Sequence, residues 1–271
     1  MFPVWIKGGQ AEKPAGPIYY ILAQNGFFIS KKMKFWKAIV PVENISILEP
    51  ETPSIELFLP PIPEAMTHEI ATFLAWVYQT HGTEAIITLH YNDREQKYRA
   101  YAPKQEVAYG HVSYSTPESL PGEALIGTFH SHCNMSAFHS NTDQHDEGAF
   151  DGLHGVFGGF SRFNNSQNFE LSLQIVVNGA RFPLKPEEHM LGLKKNEENR
   201  DEKPSWYRPW QASEQFMLAG ESVLWSKYYT PPEEWMGNLT IKTTKSWLLD
   251  TIPRGYPKKT PTSPIRRNRR K

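Results

Sequence analysis

HSHCNMSAFHSNTD, residues 130–143, is the stretch on which the reading of this chain turns. It opens with His130 and His132, two residues apart, and closes with Ser140 and Asp143, three apart. The apolar run Ala124–Phe129 leads straight into it and reads as a short buried strand. Residues i and i+2 of a strand point to one face, so both imidazoles are expected to project together from the strand end. Ser140-x-x-Asp143 resembles a capping box and predicts a helix over 140–150. Asp143 then sits in the first helical turn, 11 residues past His132, a loop length that can return it to the two rings. Two imidazoles and a carboxylate, with one coordination position kept for water, describe a catalytic zinc site and not a closed structural one. Manganese or iron accept similar ligands, but this donor set suits zinc, and one Zn2+ per chain is the expectation. Ser140 is the candidate hydrogen-bond donor to an oxyanion.

Working outward, Ile70, Phe73, Leu74, Val77 and Tyr78 form one face of an amphipathic helix that Gly82 ends. Ala85–Tyr91 and Lys97–Ala102 read as a strand pair joined through Asn92-Asp93. Gly152–Phe157 and Leu171–Val177 are further strands, and Asn178-Gly179 turns the chain toward Arg181–Leu184. Together these predict an α/β (α+β) domain over 64–186, a mixed curved sheet flanked by helices. Residues 1–63 read as a β-rich segment. In it Ile18–Leu22 and Phe27–Ile29 flank Gln24-Asn25-Gly26, Ile45–Leu48 and Ile55–Leu59 are short β-prone runs, and Pro60, Pro61 and Pro63 act as a stop. Residues 187–250 begin with the solvated run KKNEENRDEK and carry five of the eight tryptophans (206, 210, 225, 235, 247), with a helix predicted over Gln211–Tyr228. Packing against the main domain is the expected role of those rings. Residues 251–271 form a basic, Pro-rich tail, too polar to bury a core and expected to be disordered.

Composition sets the outer bounds. The 271 residues are 39% hydrophobic, with 15 Phe, 12 Tyr and 8 Trp, enough for a sizeable core. Formal net charge is zero, so the whole molecule shows no preference for an acidic or basic partner. The exception is Arg254–Lys271, with eight Lys/Arg and no acid; it either binds nucleic acid by neutralising phosphates or is simply solvated. Cys133 is the only cysteine, which excludes an intramolecular disulfide and fits a reducing compartment. The N-terminus lacks a basic segment followed by a long apolar run, and no window approaches 18 apolar residues. A cytoplasmic protein without a membrane partner is therefore expected.

An upstream Glu followed by His-x-His-x7-Ser-x-x-Asp resembles the JAMM motif of the MPN/JAB metallopeptidase family in its bacterial form. The resemblance spans roughly Glu64–Pro186 and implies a cytidine-deaminase-like JAB/MPN domain, here with N-terminal β-rich and C-terminal helical extensions. In that family the catalytic Glu opens the strand after the first long helix, where Glu84-Ala85-Ile86-Ile87 stands. Ala102-Pro103-Lys104-Gln105 and Asp151-Gly152-Leu153-His154 are also similar to segments of family members. The resemblance implies Glu84 as general acid/base, His130, His132 and Asp143 as zinc ligands, and Ser140 as oxyanion donor. It implies hydrolysis of a peptide or isopeptide bond at the C-terminus of a ubiquitin-like protein, with an E1-like protein as a further partner. A non-catalytic MPN scaffold and a RadC-like DNA-associated protein share parts of the pattern.

Other residues compete for these roles. Glu64 and Glu69 lie near or on the preceding helix, and either is an alternative to Glu84. The family's usual proline after the second histidine is Cys133 here, a bystander or a thiolate beside the metal. His139, His145 and His154 crowd the same segment and are expected at the surface or behind the ligands. Asp146 and Glu147 read as acids in the first turn of a helix.

Overall fold

The computed structural model describes residues 2–45, 48–115, 121–160, 168–196, 214–219 and 230–242. The chain divides into two compact units, Met1–Ser54 and Ile55–Lys271. The first is a four-stranded sheet in the order β1 (Val4–Ile6), β2 (Ile18–Ala23), β3 (Gly26–Lys32), β4 (Lys37–Pro41). β1 runs parallel to β2 and the other pairs are antiparallel. Ala23 faces Gly26 across the two-residue loop Gln24-Asn25, the hairpin that those residues predict.

The second unit opens with helix α1 (Glu64–His81), which buries Ile70, Phe73, Leu74 and Val77. Gly82 caps it at φ 70°, a left-handed conformation that glycine adopts at no steric cost, and its N–H returns to the Tyr78 carbonyl at 2.7 Å. Two hairpins follow: β5 (Ile86–Asn92) with β6 (Lys97–Tyr101), then β7 (Gln105–Ala108) with β8 (His111–Tyr114). Next come β9 (Glu123–Ser131), helix α2 (Asn141–Gly148), β10 (Gly152–Gly158), β11 (Phe169–Val177) and β12 (Ala180–Leu184). Helix α3 (Pro186–His189), β13 (Leu193–Lys195), β14 (Glu214–Leu218), helix α4 (Glu233–Gly237) and β15 (Leu239–Ile241) complete the described elements.

The main sheet runs β13-β14-β11-β10-β9-β5-β6, with β12 also on β11. β9 lies antiparallel to β5 and parallel to β10. A parallel neighbour demands a crossover, and α2 lies within it. The sheet's apolar face and α1 share one core: Ile70, Phe73, Leu74 and Val77 with Ile87, Leu89, Phe129, Phe157 and Leu171. Each such side chain contributes roughly 1.5–3 kcal/mol when removed from water. The result is the expected α+β class, dominated by strands. Among the described residues no helix is long and apolar enough to cross a membrane.

Two local expectations change, and one hairpin is new. Glu214–Leu218, within the predicted helix Gln211–Tyr228, is a strand; Phe216 and Leu218 alternate into the core while its backbone pairs with β11 and β13. The remainder of that predicted helix lies outside the described residues. Ile55–Leu59 forms no strand, and the pairing near it is a single bridge from Ile62 to Met190. The β7–β8 hairpin, unread in the sequence, turns at Tyr109-Gly110, with Gly110 at φ 75°. Trp235 packs edge-on against Phe73 with ring centroids 5.0 Å apart, the packing role expected of the tryptophans. Trp206, Trp210, Trp225, Trp247 and the basic tail lie outside the described residues.

Candidate metal centre

His130 is the penultimate residue of β9, paired with Ile86 on one side and Val156 on the other. The strand alternation carries on to His132, whose N–H bonds the Phe157 carbonyl at 2.7 Å. Both rings are buried on the same face, with their Nε2 atoms 3.3 Å apart. Asp143 enters from α2: Oδ1 lies 3.4 Å from His130 Nε2 and Oδ2 lies 3.3 Å from His132 Nε2. Donors about 2.0–2.2 Å from a tetrahedral ion stand about 3.3–3.5 Å from one another. The two nitrogens and the two carboxylate oxygens approach one another at that spacing, and one donor atom from each residue lies within 4.8 Å of the others, so the residues fit a divalent cation. His132 Nδ1 faces the Ser136 carbonyl at 3.3 Å, which favours the tautomer with a lone pair on Nε2.

Asp143 is held by its own helix start. The Ser140 N–H donates to Asp143 Oδ2 at 2.7 Å, and the Asp143 N–H donates to Ser140 Oγ at 3.2 Å, a reciprocal capping box. Ser140 Oγ thus accepts from the backbone, and its hydroxyl also hydrogen-bonds the Asp143 carboxylate. Burial raises the Asp143 carboxyl, but hydrogen bonds from His130 and His132 outweigh it and hold the group far below the usual carboxylate range. Burial pulls His130 down, and Asp143 beside it overrides this and raises the imidazole.

After His132 the chain reverses. Cys133 takes φ 54°, its carbonyl accepts from Phe160 N–H, and its side chain is fully buried in the hydrophobic core. The backbone at Met135–Ala137 lies so close to Gly158 that a Cβ there would meet the Met135 carbonyl at 2.4 Å. Cys133 is not part of the ligand group. A proline, locked near −65°, has no access to this φ, which is the physical reason the family's usual residue does not suit this turn.

Glu84 lies two residues before β5 and is 5% exposed. Its N–H bonds the Ala108 carbonyl of β7 at 3.0 Å. The next two residues are pinned by side chains. Ser131 Oγ, from between the two histidines, accepts from Ala85 N–H at 3.1 Å. Gln105 then pairs with Ile86 as a strand would, Oε1 to its N–H at 2.8 Å and Nε2 to its carbonyl at 2.9 Å. Burial raises the Glu84 carboxyl to about 7, partly offset by His132 and His130. It is not a member of the ligand triangle, yet it lines the same cleft. Neither competitor does: Glu64 is exposed beside His68, and Glu69 is absent from the cleft walls.

The cleft, about 410 Å³, holds all five expected site residues and is walled by Gly110, His111, Val112 and Tyr114 from the β7–β8 hairpin and by Met135, Phe138 and Phe150. Residues 55–169 match the family model described as prokaryotic homologs of the JAB domain. This segment belongs to the JAB family. No curated protein matches the chain. The JAB segment contains Glu84, His130, His132, Ser140 and Asp143 and ends at the first residue of β11.

Within the JAB domain the extra histidines and acids separate clearly. His145 is exposed. His154 is buried between Thr128 Oγ1 at 2.9 Å and the Phe150 carbonyl at 3.0 Å. His139 meets Glu147 at 2.6 Å. Asp146 and Glu147 both depart from the first-turn reading: α2 starts at Asn141, which puts them in its second turn, and Glu147 is buried. Sequence reasoning also missed Gln105 and Ser131 as supports of Glu84. Both stand between polar neighbours, Lys104 and Glu106 or His130 and His132, so no local signal marked them.

Proposed function

We propose that the protein is a JAMM-type hydrolase that uses zinc to cleave a peptide or isopeptide bond, with the C-terminus of a ubiquitin-like protein as the substrate. The observation that carries this reading is a buried carboxylate, Glu84, in the cleft of a three-donor metal site to which it is not a ligand. A structural metal site needs no such group, whereas hydrolysis needs a proton carrier beside the ion. His130, His132 and Asp143 would hold the ion, which when bound supplies Lewis acidity to a carbonyl and acidifies water.

The chain's own residues do the rest. Glu84, held at Ala108, takes the proton released as water attacks and delivers it to the leaving amine. A carboxyl raised toward neutrality suits both halves of that transfer. Ser140 donates to the carbonyl oxygen as negative charge develops there, a contribution of about 2.7–4 kcal/mol when such donors are removed elsewhere. The β7–β8 hairpin and the Phe138–Phe150 side line the cleft in which a substrate chain would lie. The ubiquitin-like substrate and an E1-like partner follow from the family likeness.

The test uses full-length protein with a ubiquitin-like fusion as substrate. Near one equivalent of zinc and cleavage at the C-terminal glycine are expected. Cleavage should vanish in Glu84→Ala while zinc is retained. Full activity in that variant would refute the assignment of the base.

A further inference from the structure

The helix that carries Asp143 has no apolar face. Among the eight residues of α2, Asn141–Gly148, only Glu147 is buried. A helix this short is unstable alone and ordinarily docks through an apolar stripe. Here a carboxylate does the docking. Its Oε1 lies 2.6 Å from His139 Nδ1, and its Oε2 accepts from Gln174 Nε2 at 3.0 Å and from Arg181 at 2.5 Å. Arg181 also donates to the Gln144 carbonyl at 3.0 Å. Gln174 belongs to β11 and Arg181 to β12. The helix is thereby tied to the sheet at its middle and its last turn, and His139, just before the cap, joins the same carboxylate.

Asp143 lies one turn before Glu147, whereas His130 and His132 come from β9 and its continuation. The sheet order β11-β10-β9 places the anchoring strand two positions from the strand that bears the histidines. The separation between the third ligand and the first two is therefore set through this clamp. Resting on the metal-centre reading above, we infer that Glu147, held by Arg181 and Gln174, is a positioning residue that keeps Asp143 at coordinating distance from the two histidines. Glu147→Gln removes the charge from the bonds to Arg181 and His139, and charge-assisted bonds are the strong ones. It leaves Asp143, Ser140 and the capping box chemically intact.

The experiment measures zinc affinity by competition with a chromophoric chelator, using the full chain. Glu147→Gln and Arg181→Ala are each expected to bind zinc about 10–100-fold more weakly than the unmodified protein. The same Glu147→Gln change made in an Asp143→Ala background should cost nothing further, because the residue acts through Asp143. Wild-type affinity in Glu147→Gln, or an equal loss in both backgrounds, overturns the inference and leaves the metal centre standing. If Glu147→Gln does not fold, Arg181→Ala replaces it in the same cycle, since that side chain is 23% exposed. Absence of zinc binding by the unmodified protein overturns the metal-centre reading, and this inference with it.

Discussion

Glu84→Gln changes how the stability of the metal-free protein depends on pH. Burial lifts the folded-state carboxyl from the ordinary 4.5 to about 7. Between those values the folded protein keeps a proton that the unfolded chain has released. Stability is then fully retained below pH 4.5, declines as pH rises, and is lowest above pH 7. A displacement of about 2.5 units at about 1.36 kcal/mol each makes the total loss on the order of 3 kcal/mol. Glutamine has nearly the same shape and no such titration. The variant should therefore gain on the order of 3 kcal/mol over the parent at pH 8, a difference that shrinks toward zero near pH 4.5. Urea denaturation of chelator-treated protein at several pH values between 4.5 and 8 measures both curves, and titrations common to the two proteins cancel in the difference. A parent–variant difference that stays flat across this range, or grows toward acid, refutes the argument that Glu84 is desolvated beside the ligand triangle.

Further outcomes follow from single contacts. His132→Ala should lower zinc affinity by more than the 10–100-fold typical of a lost outer partner, since it removes a ligand itself; isothermal titration with zinc checks this. Cys133→Pro should cost on the order of 3 kcal/mol or more, because proline cannot adopt φ 54°, whereas Cys133→Ala keeps the backbone and the metal. Thermal denaturation separates the two. Gln105→Ala strips the Ile86 N–H and carbonyl of their partners, at about 1–3 kcal/mol for each buried group left unpaired. It should also lower kcat through Glu84 while leaving zinc affinity unchanged, a pairing that steady-state kinetics and metal titration together test.

The ligand triangle was legible because every step toward it is local. Strand alternation aligns His130 with His132, and a capping box fixes Asp143 at a helix start. α1 and its Gly82 stop, the β2–β3 and β5–β6 hairpins, and β9 to β12 were legible for the same reason: periodicity and turn residues act within a few positions. Glu84 was reachable only through family resemblance, since nothing within several residues of it distinguishes it from Glu64 or Glu69. The strand at Glu214–Leu218 was misread as helix because pairing with β11, more than 40 residues away, decided its conformation.

The residue types and spacing of 130–143 determined, unaided, that two histidines at a strand end would meet the aspartate of a capped helix, because alternation and capping are short-range geometry. Only the tertiary structure decided which carboxylates are buried and what they serve. Glu84 is buried where the chain entering β5 is bonded to the end of β7, and Glu147 by docking on β11 and β12. Burial and its electrostatic consequences come from the whole surrounding sheet, which no stretch of neighbouring residues encodes.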